Sequence, residues 1–164
     1  MELKNKLKPN NKTSIISTGQ AGYIIKSRRG QLLGIDLYLS DYVEKLEGNI
    51  GYKRLLPKLI NPEDIQADVL IATHPHGDHY DKDSMEELLS NDKTILYASD
   101  NCEEIVEQQK IDKNRVFYKK AGEEVEIKDF IIYFVDCDHG EGAPDAFGVV
   151  VEVDGKVIYE ENVK

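Results

Sequence analysis

Thr73-His74-Pro75-His76-Gly77-Asp78-His79 decides how this chain is read. The sequence holds four histidines, and three of them fall in this stretch. Neutral imidazole offers a lone pair near pH 7, so histidine is the commonest metal ligand. Three imidazoles and the Asp78 carboxylate in one short turn suit zinc, manganese or iron. Gly77 allows a bend sharp enough for neighbouring side chains to converge. A polar surface turn would explain one histidine, but not this cluster directly behind an apolar run.

That run, Ala67 to Ala72, is expected to be a buried strand. It delivers the turn at its carboxyl end, where α/β proteins place their sites. The fourth histidine, His139, follows the longest apolar strand signal in the chain, Phe130 to Val135, within Asp136-Cys137-Asp138-His139-Gly140. Two polar loops behind two buried strands can converge at one sheet edge. His74, His76 and His139 would then hold one metal and leave a position open for water. Asp78 and His79 would face a second metal or hold the water. A bound metal lowers the pKa of water towards about 7, which predicts hydrolysis of an ester, lactone, amide or phosphoester. The chain has no GxSxG, CxxC or Walker loop to support another chemistry.

Working outward, three strands are expected at Thr13 to Ser17, Gly22 to Lys26 and Gln31 to Asp36, as an antiparallel meander turning at Ser27-Arg28-Arg29-Gly30. Asp36 ends the third. It is a candidate partner for a histidine N–H, or equally a cap. A short helix is expected at Tyr42 to Glu47, and an irregular connection or short helix at Tyr52 to Ile60. Asp83-Ser84-Met85-Glu86 reads as a capping box opening a helix to Leu89. A strand at Thr94 to Ala98, a helix at Asp100 to Lys110, and strands at Val116 to Lys119 and Glu124 to Ile127 complete an α/β alternation. Phe147 to Val153 and Lys156 to Tyr159 form a hairpin across Asp154-Gly155.

The 164 residues suit one domain, and 40% hydrophobic residues suffice for a core. The net charge of −10 argues against a nucleic-acid partner. It also means that any anionic substrate must be drawn by a metal or a local basic cluster. No run approaches the roughly 18 apolar residues of a membrane span. The polar, Lys/Asn-rich start lacks an apolar signal region, so a cytoplasmic location is expected. Cys102 and Cys137 read as small buried apolar groups rather than a disulfide framework.

The Thr-His-x-His-x-Asp-His turn after an apolar strand resembles that of the metallo-β-lactamase superfamily. Gly19 to Ile25, Ile35 to Ser40, Tyr52-Lys53-Arg54 and Ala143 to Gly148 resemble its L-ascorbate-6-phosphate lactonase-like branch, over about Ser14 to Tyr159. The resemblance implies an α/β fold of αββα sandwich type and a metal-bound hydroxide nucleophile. It implies manganese or zinc as cofactor, and opening of a sugar-phosphate lactone. His74, His76 and His139 would hold one metal, and Asp78 and His79 would belong to the second, with Asp78 in the catalytic apparatus. Asp36 would match the family's buried aspartate. Arg54 is a conceivable phosphate contact, with a solvated surface arginine as the alternative.

The family follows its hairpin with a Gly-Asp turn, whose aspartate bridges two metals, and then a further metal histidine. Here the hairpin reads Val157-Ile158-Tyr159-Glu160-Glu161-Asn162-Val163-Lys164, with neither feature. Glu160 or Glu161 is a stand-in that the spacing does not compel. The expectation is therefore a single domain carrying mainly the N-terminal half of the sandwich, with its second half absent and an apolar face left open. Homo-oligomerisation would cover that face, and activity would be reduced or dependent on assembly. The alternatives are a non-catalytic metal-binding or regulatory protein and a phosphodiesterase-type metallohydrolase.

Overall fold

A computed structural model describes residues 3–48, 53–140 and 142–161. Two sheets form its frame. The larger runs β1 (Ser14–Ser17), β2 (Tyr23–Lys26), β3 (Leu32–Ile35), β4 (Val69–Ala72), β5 (Ile95–Ser99) and β6 (Val116–Lys119), in that order. The first three strands are the expected antiparallel meander. From β3 to β6 every pairing is parallel, so each connection must cross over, which is what the intervening helices do. These are α1 (Tyr42–Glu47), α2 (Lys82–Leu88) and α3 (Glu103–Gln108).

β4 shows why this sheet is a middle layer. All four of its residues are buried, and successive side chains point to opposite faces. Leu70 and Ala72 join Met85, Leu88 and Val106 in a core under α2 and α3. Val69 and Ile71 join a second core on the other face, with Ile25, Leu33, Ile35 and Tyr97. A run apolar at every position is what a strand covered on both faces requires.

The second core is closed by another sheet, of β10 (Lys156–Glu160), β9 (Phe147–Val153), β8 (Phe130–Asp136) and β7 (Glu124–Ile127), antiparallel throughout. Phe130, Ile132 and Phe134 of β8, with Phe147, Val149, Val151 and Val153 of β9, face inward. Phe134 meets Phe147 edge-on at 4.9 Å between centroids. Burying each such side chain contributes about 1.5–3 kcal/mol.

The inner face of the first sheet is therefore covered by the second. What lies open is the outer face of the second sheet, where no helix packs among the described residues. Cross-strand partners place Ile131, Tyr133, Val150, Val157 and Tyr159 on that face. Val157 is 68% and Tyr159 56% exposed.

Two local expectations change. The helix expected from Asp83 begins at Lys82, with Asp81 in the N-cap position. The Asp81 carboxylate turns instead to the segment after β3, accepting from Leu39 N (2.8 Å), Ser40 N (2.7 Å) and Ser40 Oγ (2.5 Å), and from Ser84 Oγ (2.6 Å). The helix expected over Asp100 to Lys110 is a 3-10 turn followed by the shorter α3. From residue 53 to Ile60 the chain is irregular. Tyr52 and residues 162–164, quoted in the expectations above, lie outside the described residues.

Candidate metal centre

Parallel pairing of β3 with β4 sets Ile35 against Ile71. Asp36, one residue past Ile35, and Thr73, two past Ile71, therefore emerge side by side. Asp36 N donates to Ile71 O at 2.9 Å, and the Asp36 backbone then turns left-handed, with φ of 48°. That conformation is unusual for a residue with a Cβ and is one that aspartate tolerates. It places the carboxylate under the histidine turn. Asp36 accepts from Thr73 N (2.8 Å), from Thr73 Oγ1 (2.6 Å) and from His79 Nδ1 (2.9 Å).

These contacts set proton positions. A hydroxyl has one hydrogen, and that of Thr73 goes to Asp36. Thr73 Oγ1 must then accept at its contact with His74 Nδ1, 2.9 Å away. His74 is thus protonated on Nδ1 and presents a lone pair on Nε2. His79, donating Nδ1–H to Asp36, likewise presents Nε2. One carboxylate orients two imidazoles, one directly and one through a hydroxyl.

His74 Nε2 is buried and without a hydrogen-bond partner. Around it stand His139 and His76, with centroids 4.0 and 4.7 Å from the His74 ring. His139 Nε2 lies 3.2 Å from His76 Nδ1. Ligand atoms of His74, His76 and His139 all lie within 4.8 Å of one another. Burial, then the positive charge of His79, His139 and His76 on protonation, push the His74 pKa from 6.5 down to about 2. The ring is therefore neutral at physiological pH. A buried lone pair with no donor facing two more imidazoles is a donor set that fits a divalent cation.

Asp36, His74 and His79 also lie within ligand range of one another. Their inner atoms are already engaged with Thr73 and each other, so we read Asp36 as support for the histidines rather than as a ligand. Burial alone would lower the His79 pKa. The hydrogen bond and charge of Asp36, with Asp78 and Glu160, outweigh it and raise the value. Asp78 Oδ2 is 3.8 Å from His79 Nε2, with its side chain 40% exposed.

The turn and the His139 loop meet at the seam between the sheets, where Phe147 N donates to Thr73 O at 3.4 Å. Gly77 sits at a close approach. A Cβ there would lie 3.0 Å from Tyr42 and 3.2 Å from Val43 of α1. Arg54 donates from Nη1 to Tyr38 O (2.8 Å) and Ser40 O (3.4 Å) and lies 4.9 Å over the Tyr38 ring. It buttresses the segment after Asp36 and does not line the cleft beside His79. Cys102 is buried, and burial pushes its thiol up to about 12; Cys137 is half-buried, and neither cysteine is in a disulfide.

Sequence reasoning missed three participants. Thr73 was legible only as part of the motif, Asp81 only as a residue before a helix, and Glu160 only as one of two equivalent glutamates. The partners of all three are set by strand register.

The chain has the metallo-β-lactamase fold. YhfI, a metallo-β-lactamase fold protein from Bacillus subtilis, superposes with a TM-score of 0.56 at 18% identity, over 86% of this chain and 54% of its own. A motif variant of a metallo-β-lactamase from Cronobacter sakazakii gives 0.56 at 14% identity, over 90% and 59%. CmlA, a diiron β-hydroxylase from Streptomyces venezuelae, gives 0.61 at 15% identity, over 92% and 29%. In sequence, the chain is 27% identical over 110 residues to a UPF0173 metal-dependent hydrolase from Staphylococcus carnosus strain TM300, covering 61% of this chain. The chain spans about half of that curated relative, 46% of its length. No protein-family model matches. No helix among the described residues is long and apolar enough to cross a membrane.

Proposed function

We propose that the chain is a metal-dependent hydrolase acting on an ester or lactone. The observation that carries this reading is the buried, partnerless His74 Nε2 facing His76 and His139. Similarity to a protein named as a metal-dependent hydrolase supports it.

His74, His76 and His139 would hold the cation, and a divalent metal supplies Lewis acidity at neutral pH when bound. Asp36 and Thr73 hold His74 and His79 in the tautomers that leave Nε2 available. Asp78, half-exposed beside His79 Nε2, would orient a water and accept its proton. Manganese and zinc suit the donor set, and so does iron, since imidazole with carboxylate serves all three.

The narrower reading is the opening of a sugar-lactone ring, as the branch resemblance implies. A phosphate on that substrate meets no lysine or arginine among the described residues lining the cleft beside His79. The exposed apolar stripe on the second sheet supports a homo-oligomer.

The test is turnover of an ester and lactone panel by protein loaded separately with manganese, zinc or ferrous iron. Hydrolysis lost with a chelator and restored by metal is expected. Stoichiometric metal binding without turnover of any substrate would leave a metal-binding protein in its place.

A further inference from the structure

Beside the histidine cluster, a cleft of about 500 Å³ opens between the edges of the two sheets. Its walls are apolar, with Ile15, Ile25 and Ile35 from the larger sheet and Ile158 from β10. His79 stands in its lining, nine-tenths buried at 9% exposure. Asp36 takes His79 Nδ1, so Nε2, 3.8 Å from Asp78 Oδ2, is the polar atom this residue offers the cleft. The other charged residues of the lining are Glu160 and Glu161, at the end of β10 and just past it. Glu160 Oε2 is shielded from solvent, and Tyr159 Oη donates to Glu161 Oε2 at 2.5 Å. Register fixes this placement, because Glu160 pairs with Val149, whose side chain is in the sheet-to-sheet core.

We infer that the cleft binds the non-reacting part of the substrate and selects an apolar body carrying an ammonium group. The inference rests on the hydrolase reading and deepens it. Apolar walls remove the body of the molecule from water. Two carboxylates in a partly enclosed cleft attract a cation more strongly than they would in bulk water and repel an anion equally. The net charge of −10 adds a field of the same sign. An amine-bearing ester or lactone therefore fits the cleft, and a phosphorylated one does not.

The test uses three size-matched probes, benzylamine, benzyl alcohol and benzoate, titrated into metal-loaded protein. The methyl resonances of Ile15 and Ile158 are followed, because they report on the cleft, whereas benzoate at the metal would move histidine signals. Benzylamine should bind at these methyls at least about tenfold more tightly than benzoate, with benzyl alcohol between them. Its affinity should fall with added salt while that of benzyl alcohol does not. The double variant Glu160→Gln, Glu161→Gln should bring the three affinities together. Equal or tighter binding of benzoate at the methyls overturns the inference, as does a preference that survives the double variant. If the variant fails to fold, the salt dependence in the wild type decides in the same way. An intact preference with no ester hydrolysis would remove the hydrolase reading and leave the cleft. Hydrolysis without the preference would do the reverse.

Discussion

Asp36 carries much of the centre although it stands outside the trio of His74, His76 and His139. It accepts from Thr73 N, Thr73 Oγ1 and His79 Nδ1, so it governs the protons on both His74 and His79. Asp36→Asn should lower metal affinity about 10–100-fold, because the amide cannot accept in all these directions. Metal titration by calorimetry checks this, with circular dichroism confirming that the fold survives. Thr73→Val should lower affinity in the same direction by removing only the hydroxyl relay. His74 also carries a pH dependence. Its folded pKa is depressed from 6.5 to about 2, so the unfolded chain takes up its proton first. The stability tied to its neutral form is complete above 6.5 and is lost as pH falls from there towards about 2. His79 has the opposite sign. Its raised value gives stability present below 6.5 and lost as pH rises through the folded value. Urea midpoints of metal-free protein should therefore drop on acidification below 6.5, and His74→Gln should flatten that limb. At this scale the histidine motif was legible because ligand type and spacing are written in order along the chain. The Thr73 relay was not, because it depends on which residue of β3 lies beside β4.

Among the elements, the site depends on how α1 and α2 are tied to the strands. Asp81 sits at the head of α2 but is spent on Leu39, Ser40 and Ser84. Asp81→Ala would leave buried donors without acceptors and should cost about 2–4 kcal/mol, read by urea unfolding. A pattern of Asp-Ser-Met-Glu three residues apart suggested a cap at Asp83. The N-cap lies two residues earlier, at Asp81, because tertiary hydrogen bonds to the segment after β3 outweigh a local capping box. Gly77→Ala presses a methyl against Tyr42 and Val43. It should displace α1 or the turn and lower metal affinity more than it lowers global stability. Paired metal and urea titrations separate the two effects. Strand positions were legible throughout, since apolar runs and turn residues are local signals. The helix ends were set by contacts with distant segments.

For the whole molecule, the fold class and the strands of the second sheet were legible, and the pairing that sets that sheet over the first was not. Phe130, Ile132 and Phe134 are buried and alternate with half-buried Ile131, Tyr133 and Val135; those neighbours are apolar or aromatic as well, so the order of residues does not tell the two faces apart. Phe134→Ala, in the core between the sheets, should cost about 3–5 kcal/mol. On the outer face, Val157 is 68% exposed, and Val157→Glu should shift any self-association towards monomer without altering the unfolding midpoint. Light scattering across a dilution series checks this, and a monomer at every concentration in the unmodified chain would remove the oligomer reading. The position of the histidines has one more consequence. His74 and His76 hang from the larger sheet and His139 from the smaller, on either side of the seam closed by Phe147 and Thr73. A cation held by all three acts as a rivet between the layers, and the layers cannot part without releasing it. Each tenfold rise in free metal above its Kd should then add about 1.4 kcal/mol to the free energy of unfolding. Durability of the fold and readiness for catalysis would become the same titration curve.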